Sequence, residues 1–90
     1  MLLNYCENCT LSNEVVGFID GERYVTQVIP ESGYSIDPPA QLSIVMDGQD
    51  ITYDQIDGES VWTAPGAGGI GTIIIPSVTG DVEITVVGQA

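Results

Sequence analysis

The sequence predicts a small all-β domain, an antiparallel β-sandwich of about seven strands with negligible helix. β-Branched residues gather in short runs, most clearly within residues 72–87, and they favour strands because a branched Cβ packs well on a pleated surface. Along Val82–Val87 the side chains alternate between two faces, as in a half-buried strand. Turn signals recur about every eight to twelve residues, and apolar residues at helical spacing do not persist.

The length of the chain fits one domain, residues 1–90. A single sandwich core is feasible, because such folds need about 100 residues and the chain has 90. An apolar fraction of 43% argues against disorder. Met1–Leu3 lacks the charged and apolar regions of a signal peptide, and no apolar run reaches the about 18 residues that span a membrane. We therefore expect a protein made in the cytoplasm, without membrane insertion.

The charge balance is extreme, with 13 acidic residues against one basic residue, Arg23, no histidine and a net charge of -12. This charge repels phosphate backbones and anionic membranes, so we expect no direct nucleic-acid binding. Basic protein surfaces are the natural partners. Without histidine or lysine, the chain lacks the usual near-neutral base and an amine nucleophile. The composition argues against an enzyme, and no pattern predicts a cofactor.

Strand signals begin early in the chain. Three strands are predicted before residue 30: Leu2–Cys6, Asn13–Phe18 and Arg23–Ile29. The last of these is the clearest, because Tyr24, Thr26 and Val28 share one face. Pro30 ends it, since proline cannot continue a sheet ladder. After a turn, Tyr34 and Ile36 are expected to re-enter the core.

The second half continues this pattern. Its predicted strands are Gln41–Asp47, Asp50–Tyr53, Val61–Thr63, Thr72–Ile75 and Val82–Val87. Asp47-Gly48 signals a hairpin, because glycine accepts the positive φ of a tight turn. We expect the last two strands to pair as a closing hairpin around Gly80-Asp81. The inward-facing residues should include Tyr24, Val28, Leu42, Ile44, Ile75, Val82, Ile84 and Val86.

Cys6 and Cys9 form a C-x-x-C motif. A closed zinc site needs four ligands, and the chain has neither two further cysteines nor a histidine. A thioredoxin-like redox pair would sit in a βαβ unit, which the pattern lacks. The interpretation favoured here is two cysteines at a turn, either free or locally bridged.

An acidic segment, Asp54–Glu59, lies close in sequence to Asp47 and Asp50. Ca²⁺ takes six to eight oxygen ligands, so a calcium site is one interpretation. The segment does not match the loop of an EF-hand, however. A solvated acidic loop without a metal is the favoured interpretation.

The segment Pro65–Gly71 is rich in glycine, and Gly66, Gly68 and Gly71 satisfy a bare G-x-G-x-x-G. A dinucleotide fingerprint must open a helix, whereas this one precedes a predicted strand, so a flexible loop is the better interpretation. Trp62, just before the loop, is either a core plug or an exposed contact. The sequence leaves both alternatives open.

Three blocks of sequence follow one another in a recognisable order. They read Glu31-Ser32-Gly33-Tyr34-Ser35-Ile36, then Leu42-Ser43-Ile44-Val45-Met46-Asp47-Gly48-Gln49-Asp50-Ile51-Thr52, then Ile75-Pro76-Ser77-Val78-Thr79-Gly80-Asp81-Val82-Glu83-Ile84-Thr85-Val86. This order resembles the bacterial immunoglobulin-like module of phage virion proteins and bacterial surface proteins. That module has a Gly-Tyr corner, a V-x-M-x-G-x-D-I-T hairpin and a closing V-T-G-D-I-x-I-T hairpin. The resemblance covers about residues 22–87.

The resemblance implies an immunoglobulin-like sandwich without catalytic residues. It also implies a structural or accessory role in a virion, as a capsid decoration or tail-associated protein that acts by docking. The expected partner is a larger virion protein, with a homo-oligomer as an alternative, and the expected location is the virion. Pro38-Pro39 and Pro65–Gly71 depart from the module's pattern.

One of these departures supplies the candidate interface. Glycines lose entropy when they become ordered, and aromatic anchors often dominate interface energy. We therefore expect the contact with the larger protein to be bordered by Trp62, Pro65, Gly66, Gly68, Gly69 and Gly71.

Two other functions remain as alternatives. The first is a small acidic phage-encoded inhibitor of a host defence nuclease, which would occupy a basic groove as a nucleic-acid mimic. The second is a carbohydrate-binding adhesion module, in which Trp62 and the four tyrosines would stack on sugars.

Overall fold

The computed structural model describes residues 1–65 and 69–90, and within them the chain is all β. No helix capable of spanning a membrane occurs in those residues. The described strands are β1 (Leu2–Glu7), β2 (Cys9–Leu11), β3 (Tyr24–Pro30), β4 (Gln41–Met46), β5 (Gln49–Asp50), β6 (Gln55–Ile56), β7 (Glu59–Ser60), β8 (Trp62–Thr63), β9 (Gly71–Ile75) and β10 (Val82–Val87).

The strands form two four-stranded sheets and one small hairpin. The first sheet has the order β1-β10-β4-β5, the second has the order β2-β3-β9-β8, and β6 pairs with β7 alone. One apolar cluster takes buried side chains from both four-stranded sheets. The predicted all-β class is confirmed, and the arrangement is compatible with a β-sandwich. The described part has ten strands rather than about seven, because four of them are only two residues long.

Strict alternation builds the core from β3 and β10. In β3, Tyr24, Thr26 and Val28 are buried, while the residues between them are exposed. β10 buries Val82, Ile84 and Val86 in the same way. All eight predicted inward residues are buried except Leu42, which is half-buried and packs against the cluster. The period of two along each strand therefore located the core.

Two Asp-Gly turns join short hairpins. Asp47 and Gly48 have φ values of 52° and 76° and connect β4 to β5, as predicted. Asp57 and Gly58 have φ values of 52° and 79° and connect β6 to β7 within the acidic segment. Two-residue hairpin turns of type I′ require positive φ at both central residues, and Asp-Gly is favoured there because it adopts that conformation.

The predicted closing hairpin is wrong. β9 pairs with β3 and β8, whereas β10 pairs with β4 and β1, so the two runs lie in different sheets. Their connection runs past the turn at residues 19–22, where Gly21 N donates to Val78 O at 2.7 Å and Val78 N donates to Glu22 O at 2.9 Å. Each run has one buried face, and the two faces meet across the core instead of sharing a sheet.

Three smaller predictions also fail. Residues 13–18 form no strand, although Val15 and Phe18 pack against the core. The strand predicted at Asp50–Tyr53 ends at Asp50, because the chain turns directly afterwards. Ile36 is buried as expected, but Tyr34 is 38% exposed. Tyr34 lies in the turn closed by its own N–H, which donates to Glu31 O, and that turn holds it outside the core.

A single residue, Asn8, separates β1 in the first sheet from β2 in the second. β1 lies parallel to β10, and β2 lies antiparallel to β3, so the chain reverses direction between Glu7 and Cys9. Asn8 at this corner has a φ of 64°, a left-handed conformation that asparagine tolerates better than most residues. The parallel pairing of β1 departs from the predicted all-antiparallel arrangement. β1 and β10, which are neighbours in the first sheet, therefore both start at the same end of the molecule.

Candidate docking surface

Trp62 lies on Gly71 of the neighbouring strand. It is half-buried on β8 and packs against the core cluster. A Cβ built on Gly71 would come within 2.9 Å of Trp62 Cζ3 and 3.2 Å of Ile36 Cδ1. Only glycine leaves room for the indole here, because real Cβ atoms do not approach other atoms so closely. Of the two alternatives for Trp62, the structure favours a plug at the margin of the core.

The remaining residues of the predicted interface lie in different environments. Pro65 is buried and Gly69 is half-buried, while Gly66 and Gly68 lie outside the described residues. Ile70, which the sequence did not single out, is 47% exposed. Among the described residues of this segment, Ile70 is therefore the exposed apolar side chain, whereas Trp62 is half-buried and Pro65 is buried.

The acidic groups are all at the surface. Each of the 13 carboxylate side chains is exposed or partly exposed: Glu7, Glu14, Asp20, Glu22, Glu31, Asp37, Asp47, Asp50, Asp54, Asp57, Glu59, Asp81 and Glu83. Arg23 donates from Nη1 to Glu59 Oε2 at 2.6 Å and from Nη2 to Glu59 Oε1 at 2.7 Å. The ammonium group of Met1 lies 3.1 Å from Asp81 Oδ1. Both cations therefore already have carboxylate partners, and the rest of the surface stays negative.

The acidic segment 54–59 folds as the β6–β7 hairpin. Residues 1–65 and 69–90 contain no group of three or more potential metal ligands. Nearby, Asp50 Oδ1 accepts from Thr52 Oγ1 at 2.7 Å and from Thr52 N at 2.9 Å. These hydrogen bonds lower the pKa of Asp50, first through the hydroxyl and then through the backbone N–H. Asp50 thus caps a turn of the chain.

Cys6 and Cys9 are free thiols on either side of the corner at Asn8, in agreement with the turn interpretation. Cys9 is buried, and its Sγ lies 3.6 Å from Val86 O as a weak donor. Burial, followed by a hydrogen bond with Cys9, raises the pKa of Cys6 from 9.0 to about 12. The Cys6 thiol is therefore protonated at neutral pH and is a poor nucleophile.

An exposed apolar pair lies on β1. Leu3 and Tyr5 project from its outer face and are 50% and 54% exposed. They pair in register with Glu83 and Thr85 of β10, and the four residues line a shallow groove of about 200 Å³. The sequence predicted this strand but not the exposure of its apolar residues, because alternation alone does not reveal where a sheet ends.

The exposed tyrosines do not gather at one place. Tyr5 lies on β1 at one edge of the first sheet, and Tyr53 follows β5 at the opposite edge. Tyr34 lies in the turn beside Gly88. Stacking on a sugar would need aromatic faces side by side, so this arrangement does not support a carbohydrate site built from them.

No family model, no curated protein and no solved structure matches the chain. The geometry described above and the three ordered blocks of sequence therefore carry the functional argument.

Proposed function

We propose that the protein is a non-enzymatic immunoglobulin-like module of a phage virion, a capsid decoration or tail-associated protein that acts by docking onto a larger virion protein. The support comes from the residues that carry the family resemblance. They occupy structural positions in the fold, as expected of a module whose motif residues maintain a shape rather than perform a reaction.

The observation that carries the proposal is the meeting of the second and third blocks. Asp47 N donates to Asp81 O at 2.9 Å. A Cβ built on Gly80 would lie 2.7 Å from Asp47 Cβ. The Asp47 side chain therefore leaves room only for glycine at position 80. The Asp47-Gly48 turn and the Gly80-Asp81 pair of the resemblance therefore pack together where β4 ends and β10 begins.

The other motif residues have equally defined structural positions. Thr52 Oγ1 accepts from Ile44 N at 2.8 Å, next to the Asp50 contact described above. In the first block, Ile36 is buried, and Ser35 forms an antiparallel bridge with Gln89 through hydrogen bonds of 2.8 and 2.9 Å. Each block thus fixes a turn or joins two segments.

The test is to purify intact particles of the encoding phage on a density gradient and to measure the amount of this protein per particle. We expect it to co-sediment with the particles in a fixed ratio to one structural protein, because assemblies repeat one interface many times. Its absence from intact particles, together with its presence among soluble proteins of the infected cell, would contradict the proposal.

The predicted interface is tested separately. Ile70→Asp should reduce particle association without changing the melting temperature, since Ile70 is 47% exposed. Tyr53→Asp, at an 80% exposed position on another part of the surface, is the matched control. Trp62→Ala is a less suitable probe, because Trp62 packs against the core and its loss should also lower stability. If Ile70→Asp associated with particles as well as wild type does, Pro65–Gly71 would not border the interface.

A second candidate function is inhibition of a host defence nuclease by mimicry of nucleic acid. The observation that favours it is the pairing of the sole arginine with Glu59 while the carboxylates stay at the surface. A mimic should inhibit DNA cleavage by the nuclease at low salt and lose that inhibition as salt rises. Full nuclease activity at low salt in the presence of excess protein would exclude this function.

A further inference from the structure

β1 is the long open edge of the molecule. It ends the first sheet and has six residues, whereas the other described edge strands of the two four-stranded sheets, β2, β5 and β8, have three, two and two. Long edges attract additional strands, and proteins protect them with lysine, proline or short length. β1 contains neither lysine nor proline. Beyond Leu2, whose N–H already has a partner in Val16 O, this edge is available for pairing.

The backbone of β1 shows which groups are free. Met1 O and Glu7 O accept from Val82 N and Gly88 N, so the odd-numbered residues direct their hydrogen-bonding groups toward β10. The even-numbered residues therefore direct theirs away from the sheet. Leu2 N donates to Val16 O at 3.4 Å. Within the described chain, the outward N–H and C=O groups of Asn4 and Cys6 have no backbone partner.

Side chains beside this edge form a simple pattern. On the outer face, Leu3, Tyr5 and Glu7 follow one another at intervals of two residues. Tyr5 Oη donates to Glu7 Oε1 at 3.0 Å, which places the carboxylate beside the ring. An incoming antiparallel strand would meet Glu7 first, then Tyr5, then Leu3. A basic residue followed by two apolar residues, each two positions apart, fits that order.

Charge selects the occupant. A second copy of the chain would bring two molecules of net charge -12 together and oppose pairing between copies. A basic partner gains from the same field, because Glu7 and Glu83 both lie on the outer face near the edge.

We propose that β1 is a docking edge, and that its occupant is an extended basic segment of a partner protein, which adds antiparallel beside Leu3–Glu7 as a fifth strand of this sheet. The inference rests on the docking role proposed above and specifies the kind of partner. Main-chain hydrogen bonds to Asn4 and Cys6 would provide affinity, and the row Leu3, Tyr5, Glu7 would provide specificity.

The direct test uses the full-length protein and the end-blocked synthetic peptide Arg-Thr-Val-Thr-Val. Amide hydrogen exchange is followed by NMR. In the free protein, the Asn4 and Cys6 amides should exchange faster than those of Leu3 and Tyr5, which pair with β10. The peptide should slow exchange at Asn4 and Cys6, and this protection should weaken as salt rises. The peptide Glu-Thr-Val-Thr-Val is the control and should give no protection.

Two variants test the edge further. Asn4→Pro removes one outward N–H and leaves the bonds to β10 intact, so peptide binding should fall by about tenfold or more while the melting temperature is retained. Asn4→Ala keeps that N–H and should bind normally. Tyr5→Arg should also weaken binding of the basic peptide, whereas Tyr53→Arg should not. Equal binding by Asn4→Pro and Asn4→Ala, with both folded, would overturn the proposal.

Failure of this inference can be told apart from failure of the proposed function. If wild-type protein joins particles and folded Asn4→Pro joins them equally well, the docking role stands and the edge is refuted. If the protein is absent from particles but the peptide protects Asn4 and Cys6, the edge stands and the virion role is refuted. A wild-type dimer that Asn4→Pro converts to monomer would overturn the basic-partner proposal, because a second copy would then fill the edge.

Discussion

Arg23 and Glu59 lie 36 residues apart in sequence and form a two-pronged ion pair that joins the start of β3 to the β6–β7 hairpin. The hydrogen bonds between them raise the pKa of Arg23 and lower the pKa of Glu59. The sole arginine is thereby committed to one carboxylate. Both side chains are partly open to solvent, at 50% and 37% exposure, so water screens the pair.

The first prediction concerns the acid stability of this pair. The folded state holds the pKa of Glu59 below its ordinary value of 4.5. The contribution of the ion pair to folding stability is therefore present above pH 4.5 and is lost as the pH falls through the lowered pKa. Glu59→Gln should therefore be less stable than wild type at neutral pH, and the difference should shrink in acid. Melting temperatures across the acid range measure this. A constant difference at every pH would contradict it.

The second prediction concerns the buried hydroxyl of Thr52, which is 2% exposed. Thr52→Val keeps the shape but leaves Ile44 N without its acceptor at 2.8 Å, so the free energy of unfolding should fall by about 1–3 kcal/mol. Thr52→Ser retains the hydroxyl and is the matched control. Urea denaturation of the three proteins gives the comparison, and equal losses in both variants would show that the methyl group matters more than the hydrogen bond.

The third prediction follows from the contact between Trp62 and Gly71. Gly71→Ala should displace the indole ring and lower the free energy of unfolding by about 1–3 kcal/mol, as overpacked sites do. Tryptophan fluorescence should shift to longer wavelength as the ring gains solvent. Gly17→Ala is the control, because no atom lies within 4 Å of its added Cβ. An unchanged emission spectrum in Gly71→Ala would show that the ring does not depend on this glycine.

The fourth prediction concerns alkaline pH. Because the pKa of Cys6 is about 12 in the folded protein and 9.0 ordinarily, the unfolded chain releases this proton first as the pH rises. Stability should therefore decline between those two values, and Cys6→Ala should decline less steeply. Alkylation by iodoacetamide at about pH 8 should also be slow until the protein is unfolded. Rapid alkylation of the native protein at Cys6 would contradict the raised pKa.

Local features of this fold could be predicted from sequence. The alternation of Tyr24, Thr26 and Val28 identified a strand and its buried face, and the Asp47-Gly48 pair identified a hairpin. Both depend on neighbouring residues alone. The Asp57-Gly58 turn carries the same signal, so the sequence already contained the information for that hairpin.

Pairing between distant strands could not be predicted in this way. The alternation in Val82–Val87 indicates which residues are buried but not which strand lies beside them. The expected hairpin with Thr72–Ile75 failed for that reason. The exposure of Leu3 and Tyr5 could not be predicted for the same reason. Their pattern is that of any strand until the edge of the sheet is known.

The parallel contact between β1 and β10 also has a mechanical consequence. The first and last strands lie side by side, in register from Leu2 and Val82 to Glu7 and Val87, and both start at the same end of the molecule. The two ends of the chain therefore emerge at opposite ends of this pair. A tension applied between them would slide one strand along the other and load their hydrogen bonds together in shear, where an antiparallel terminal pair would peel apart one bond at a time.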